Sequence, residues 1–319
     1  MTHDSSNPLA APTIAPEPAT GRRHGWLATA RRWRLIGLLP LFLACGCSAV
    51  DVVNALTPRD SFRLVADIPY GIGPRRRLDL YLPRALVQGA PVVVFFYGGE
   101  WQDGSKAQYL FVGEALAARG FIVVIPDYRL YPEVRYPAFL EDNAAALRWV
   151  VDHVADFGGD PKDVHLLGHS AGAYDAAMLA LDRRWLAAVH LDPRRDIRDV
   201  VCLAGPYDFL PIDDPVIESI FGPPDGWPET QPINHVEGTS PPMLLATGDG
   251  DTVVRPENTR KLAARLRAKG APVREVFYSD ISHAELLGAF SVPIRFLAPS
   301  LRDTVEFFRE RHGLAAERP

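Results

Sequence analysis

The segment Gly168-His169-Ser170-Ala171-Gly172 joins two stretches of opposite character. Before it, Val164-His165-Leu166-Leu167 is a short apolar run that reads as a strand. After it, Ala173 to Leu181 is rich in Ala, Leu and Met and reads as a helix. A strand that becomes a helix across one serine leaves few options for the fold. The serine must occupy a tight turn whose strained backbone exposes the hydroxyl, and the flanking glycines are needed because no side chain fits there. A plain structural turn is the alternative. The strand before and the helix after favour a nucleophile.

The rest of the chain repeats the same alternation, which predicts an α/β fold with a mostly parallel central sheet and helices on both faces. Leu78 to Leu82 alternates apolar and polar residues, as an outer strand does. Pro91 to Tyr97 and Phe121 to Ile125 are continuous apolar runs, as buried strands are. Further strands are expected at Asp163 to Leu167, Asp199 to Ala204, Met243 to Thr247 and Val273 to Tyr278. Helices are expected at Lys106 to Arg119 with Gly120 as its stop, at Pro137 to Phe157, at Glu257 to Lys269 before Gly270, and at Leu301 to Arg311. Residues 205–242 break the pattern, with many prolines and glycines and few periodic apolar positions. So long an irregular stretch reads as a lid or binding loop, or else as a surface excursion.

The N-terminus reads as an address. Residues 1 to 20 are rich in Pro, Ala, Thr and Ser and are expected to be disordered. Arg22, Arg23, Arg31, Arg32 and Arg34 follow, then the apolar run Leu35 to Ala44, which is short for a bilayer span. Cys45-Gly46-Cys47-Ser48 comes next. Basic region, apolar region and small residues in that order predict export. Gly46-Cys47 resembles a bacterial lipobox, with Cys45 where Ala or Ser is usual, so lipidation at Cys47 and a membrane anchor are expected. The predicted organisation is a leader at 1–47, a tether and entry segment at 48–69, a catalytic domain at 70–313 carrying the lid-like excursion at 205–242, and a tail at 314–319.

Composition excludes several classes. The net charge of −5 offers no basic surface for nucleic acid. Of three cysteines, two lie in the leader, and Cys202 sits alone in an apolar run as a buried small hydrophobe. The nine histidines show no metal-ligand spacing, so no metal and no cofactor are expected.

A serine hydroxyl needs a base, and the base needs a carboxylate to fix its tautomer. In this architecture the expected chain order is Ser, then Asp or Glu, then His, each partner just past a strand end. After Met243 to Thr247 comes Gly248-Asp249-Gly250-Asp251, where Asp251 is the candidate acid and Asp249 its competitor, better suited to a turn. After Tyr278 comes Ser279-Asp280-Ile281-Ser282-His283. His283, the only histidine between His235 and His312, is the candidate base, with His235 in the excursion the weaker alternative. An oxyanion needs backbone donors, and Ala171 together with Gly98 and Gly99 after the strand Val92 to Phe96 are the candidates. Trp101 and Tyr207 are candidates for the substrate pocket.

These residues give the chain a resemblance to the α/β-hydrolase fold carboxylesterases. It looks most like the bacterial esterase branch that resembles hormone-sensitive lipase and kynurenine formamidases. The resemblance runs from about Tyr70 to His312. Tyr97-Gly98-Gly99-Glu100-Trp101 aligns with an H-G-G-x-W oxyanion loop. Asp127-Tyr128-Arg129-Leu130-Tyr131-Pro132-Glu133 resembles D-Y-R-L-A-P-E, and Pro137-Ala138-Phe139 with Asp142 resembles the helix start that follows. Gly159-Asp160-Pro161 and the Ser170 pentapeptide resemble the nucleophile region. Tyr97 stands where the family usually has a bracing His, and Glu100 is expected to face solvent or an arginine. The resemblance implies hydrolysis of a small-molecule ester through an acyl-enzyme. An aryl formamidase using the same triad, or a surface lipoprotein with a vestigial site, is the alternative.

Overall fold

The computed structural model describes residues 49–310. The expected leader, export signal, Cys47 and 314–319 tail lie outside the described residues. From Ala49 onward the chain forms one unit. Its strands are β1 (Phe62–Pro69), β2 (Arg77–Pro83), β3 (Ala90–Phe96), β4 (Ile122–Pro126), β5 (Gly159–His169), β6 (Asp199–Leu203), β7 (Met243–Gly248) and β8 (Val273–Tyr278). Its helices are α1 (Ala49–Ala55), α2 (Leu110–Ala117), α3 (Ala138–His153), α4 (Ala171–Leu181), α5 (Arg183–Ala187), α6 (Pro193–Asp196), α7 (Pro215–Phe221), α8 (Glu257–Ala268), α9 (His283–Gly288) and α10 (Ser300–Glu310).

The strands make one sheet in the order β1-β2-β4-β3-β5-β6-β7-β8. Only the β1–β2 and β2–β4 pairings are antiparallel. The runs Val92 to Phe96, Ile122 to Ile125 and Val164 to Leu167 are apolar because the strands that carry them are covered on both faces, apart from His165, and all are buried. The helices cover those faces with apolar stripes. In α8, Thr259, Leu262, Ala263 and Leu266 turn inward at helical spacing, and in α10 Leu301, Thr304, Val305 and Phe308 do the same. No helix among the described residues is long and apolar enough to cross a membrane.

Two stretches are more ordered than their sequence suggests. Part of the expected tether at 48–69 is edge strand β1, paired with β2 from Phe62↔Pro83 to Pro69↔Arg77. Helix α1 docks as well, where Asn54 donates to the carbonyls of Ala107 and Gln108. Phe62, Leu64, Ala66 and Ile68 alternate along β1, but only Phe62 is buried, with Val65 and Ile68 partly packed against the core. Charge holds the strand as well. Lys106 Nζ lies 2.7 Å from Asp67 and 2.8 Å from Asp79, which tie β1 and β2 to the start of the next helical segment. The excursion at 205–242 is also more ordered than expected. It contains α7, capped by Asp214, which accepts from the amides of Val216 and Ile217. Its Tyr207, Ile212, Ile220 and Phe221 are buried against the core.

His165 interrupts the apolar β5 run. It is fully buried, with Nδ1 2.6 Å from Asp199 and Nε2 3.4 Å from Asp163. Burial alone would lower its pKa, but the charge of Asp199 and the bonds to Asp163 and Asp199 outweigh that and hold it above 6.5. A pKa raised in the folded state contributes stability that is complete below the unfolded value of about 6.5 and fades as pH rises through the folded value. Thermal melts of wild type should therefore weaken with rising pH across that window, and His165→Gln should flatten the trend. An unchanged trend in the variant would reject the assignment.

Candidate active site

Ser170 sits at the end of β5, the strand between β3 and β6, and opens α4. Its backbone adopts φ 56° and ψ −124°, a conformation that costs a non-glycine residue on the order of 1–3 kcal/mol. The surroundings over-determine it. The Ser170 amide donates to Leu203 O at 2.9 Å, and its carbonyl accepts from Ala173 at 2.9 Å. The turn is also packed backbone against backbone. A Cβ on Gly168 would lie 2.2 Å from Gly172 O, and one on Gly172 would lie 2.0 Å from Phe96 O. The sequence expectation for both glycines therefore has a steric cause.

Ser170 and His283 line one cleft of about 460 Å³, together with Gly98, Gly99, Glu100, Gln102, Asp103, Tyr109, His169 and Val253. His283 begins α9, just past β8, and its Nδ1 lies 2.7 Å from Asp251 Oδ2. The other Asp251 oxygen accepts from the amides of Val253 and Val254, each at 2.9 Å. Burial raises the Asp251 pKa, but the bond to His283, its charge and the two amides prevail and hold it below the usual value, so it is ionised at neutral pH. The competitor Asp249 is exposed and accepts instead from the Asp280 amide at 2.6 Å, joining the two loops. His235 bonds Glu229 O at 2.8 Å within the excursion.

His169 is a cleft residue that sequence reasoning passed over, although it stands inside the motif. Its Nε2 lies 3.1 Å from the His283 carbonyl, and the two rings are 4.7 Å apart. A carbonyl only accepts, so Nε2 carries the proton. Burial, then the neighbouring His283, pushes its pKa down to about 3, and the ring is neutral.

The loop after β3 turns sharply. Gly99, Glu100 and Trp101 have φ of 129°, 54° and 58° in succession. A Cβ on Gly98 would meet Ser170 Cβ at 2.8 Å, and one on Gly99 would meet Asp103 O at 2.2 Å. The loop backbone therefore lies directly against the serine. Ala171 is the first residue of α4, where a backbone N–H has no acceptor within its helix. Glu100 is exposed at the cleft wall. Tyr97 braces the loop from beneath. Its ring stacks between Tyr109 and Tyr128 with centroids 5.3 and 4.8 Å away. Its hydroxyl accepts from Arg75 at 2.9 Å and donates to Asp127 at 2.8 Å. Asp142 is fully buried and binds both Arg76 and Arg129, which fixes the segment after β4.

Trp101 and Tyr207, expected in the substrate pocket, are core residues. Trp101 is 3% and Tyr207 0% exposed. The positive φ at Glu100 and Trp101 turns the indole inward. There it packs on Phe139, Tyr174, Phe209 and Phe221 and donates to Asp175. The excursion supplies Phe209 and Phe221 to this cluster, so it forms a wall behind the loop in place of the expected lid.

A mostly parallel sheet, a strained serine between a central strand and its helix, and a His–Asp pair past the last two strands together define an α/β-hydrolase fold. Solved structures share it. A truncated carbohydrate esterase from gut microbiota superposes with a TM-score of 0.71 at 22% identity, covering 80% of this chain and 99% of that one. Esterase B from Lactobacillus rhamnosis gives 0.72 at 19% identity, covering 89% and 96%. The BD-FAE family model matches residues 78–266, more than half of the chain, and the protein belongs to that family. It is 31% identical over 238 residues to esterase LipC of Mycobacterium tuberculosis, covering 69% of this chain and 57% of that protein. It is 27% identical over 287 residues to the probable isoprenylcysteine alpha-carbonyl methylesterase ICMEL1 of Arabidopsis thaliana, covering 82% and 59%. The chain thus spans under two thirds of the length of these two relatives.

Proposed function

We propose that the protein is a serine carboxylesterase working through an acyl-enzyme. The observation that carries the reading is the 2.7 Å contact between His283 Nδ1 and ionised Asp251, in the cleft that Ser170 also lines. Asp251 accepts a hydrogen bond from Nδ1–H of His283, which keeps that proton on Nδ1 and leaves Nε2 as the lone-pair nitrogen. His283 takes the Ser170 proton as the hydroxyl oxygen bonds to the ester carbonyl carbon. The carbonyl oxygen becomes an oxyanion, received by the amides of Gly98, Gly99 and Ala171. The imidazolium returns its proton to the leaving alcohol as the ester C–O bond breaks. Water, deprotonated by the same base, then releases the acid and regenerates Ser170. Wild-type protein should be labelled at Ser170 by a fluorophosphonate and should hydrolyse p-nitrophenyl acetate. Failure of both would end the reading.

The cleft wall also bears on substrate choice. Glu100, Gln102, Asp103, Tyr109 and His169 outnumber its one aliphatic side chain, Val253. An apolar tunnel gains about 0.8 kcal/mol for each methylene it buries. With a single aliphatic side chain the wall forms no extended acyl tunnel, which favours short acyl groups. In a p-nitrophenyl ester series, kcat/KM should be highest at acetate to butyrate and at least tenfold lower at palmitate. A maximum at long chains would contradict this view of the cleft.

Export and lipidation at Cys47 belong to the same proposal, supported by the order of arginines, apolar run and Gly46-Cys47. Mass spectrometry of protein from the native membrane fraction should find a mature chain starting at an acylated Cys47. A chain intact from Met1 would exclude that.

A further inference from the structure

Asp175 is a buried acid that the proposed mechanism does not use. It lies in the second turn of α4, the helix that Ser170 opens, and is 0% exposed. Trp101 Nε1–H donates to one carboxylate oxygen at 3.0 Å, and Asn143 Nδ2 donates to the other at 3.0 Å. Neither partner carries a charge, and the donating indole packs edge-on against Tyr174. Burial pushes the carboxyl up to about 8, and the bonds from Trp101 and Asn143 only partly offset that. An ionisable group this deep is costly unless its bonds do something an apolar residue would not.

What those bonds join is informative. Trp101 ends the run of three left-handed residues that shapes the loop against Ser170. Asn143 belongs to α3, and its own Oδ1 is buried with no hydrogen-bond partner. Asp175 therefore links the loop after β3 to the nucleophile helix, across the core and away from the cleft. Such a loop keeps its conformation only when its surroundings over-determine it. The Trp101 carbonyl, which accepts from Tyr131 at 2.8 Å, is a second anchor.

We infer that Asp175 is a positioning residue for the oxyanion loop, acting through the Trp101 indole to hold the Gly98 and Gly99 amides in register with Ser170. This rests on the esterase reading above. The amide Asp175→Asn is the informative conservative variant. Its oxygen can accept from Trp101, and its NH2 can donate to Asn143 Oδ1 once the Asn143 side chain adjusts. Asp175→Leu keeps a side chain of similar size and loses the tether. Trp101→Phe loses the donor and keeps an aromatic ring in the cluster.

The experiment measures kcat and KM per fluorophosphonate-titrated serine for wild type, Asp175→Asn, Asp175→Leu and Trp101→Phe, with melting temperatures alongside. A displacement near 1 Å at a reacting centre costs about a hundredfold in rate. Asp175→Leu and Trp101→Phe should therefore lose tenfold to a hundredfold in kcat with KM within about twofold. Asp175→Asn should stay within about threefold of wild type. If Asp175→Leu does not fold, Trp101→Phe against Asp175→Asn gives the same comparison. Wild-type kcat per titrated serine in Trp101→Phe would overturn the inference, whatever the change in melting temperature, because a purely structural role moves stability alone. A wild-type protein that neither labels nor turns over would instead overturn the esterase reading.

Discussion

On the proposed mechanism, Ser170→Ala should lower kcat on the order of a million-fold, since removing the nucleophile abolishes the action of the whole triad. The fold should survive. The backbone bonds of Ser170, from its amide to Leu203 and to its carbonyl from Ala173 and Tyr174, remain available to alanine. The glycine contacts that shape the turn involve backbone atoms only. Purified variant with native circular dichroism should show neither turnover nor fluorophosphonate labelling. Turnover near the wild-type rate would remove Ser170 from the chemistry.

Asp251→Asn should cost about 10⁴-fold in kcat. An asparagine oxygen can still accept from Val253 and Val254, so the loop should hold. Its NH2 would then face His283 Nδ1, and the ring would have to present a lone pair there and carry its proton on Nε2. A protonated Nε2 takes no proton from serine. Asp249→Asn should be mild, because Asp249 needs only an oxygen to accept from the Asp280 amide. The measurement is kcat for both variants on one short ester. Reversal of the two effects would move the acid to Asp249.

The parts of this protein most legible in its sequence are those where one physical rule dominates. Strands β3, β4 and β5 carry apolar runs because helices cover both faces. The turn at Ser170 needs Gly168 and Gly172 because bare backbone fills the space a Cβ would take. Asp251 and His283 are found by chain order and by their place after strand ends. Other features depend on contacts far apart in sequence. Strand β1 is harder to read because an edge strand leaves most of its side chains exposed, and an ion pair and a hydrogen-bond ladder hold it beside the one buried residue, Phe62. Trp101 and Tyr207 look like pocket residues because they flank loops near the serine. The backbone turn at Glu100 and Trp101, invisible in the sequence, is what sends the indole inward. Helix α7 did have a signal, Asp214-Pro215, a cap followed by proline at the first helical position. The density of prolines around it hid that signal.

The sheet order sets unequal fates for the cleft's components. Gly98, Gly99 and Ser170 follow β3 and β5, deep in the sheet, whereas Asp251 and His283 follow β7 and the edge strand β8. Most of β8 is only partly buried. Proteins open locally from such margins at lower free energy than they unfold. On the proposed mechanism, an opening that frees β8 would withdraw His283 and leave Ser170 in its strained turn, intact and unactivated. Loss of turnover would then precede loss of the core, and the dormant population would regain activity when the edge closes again.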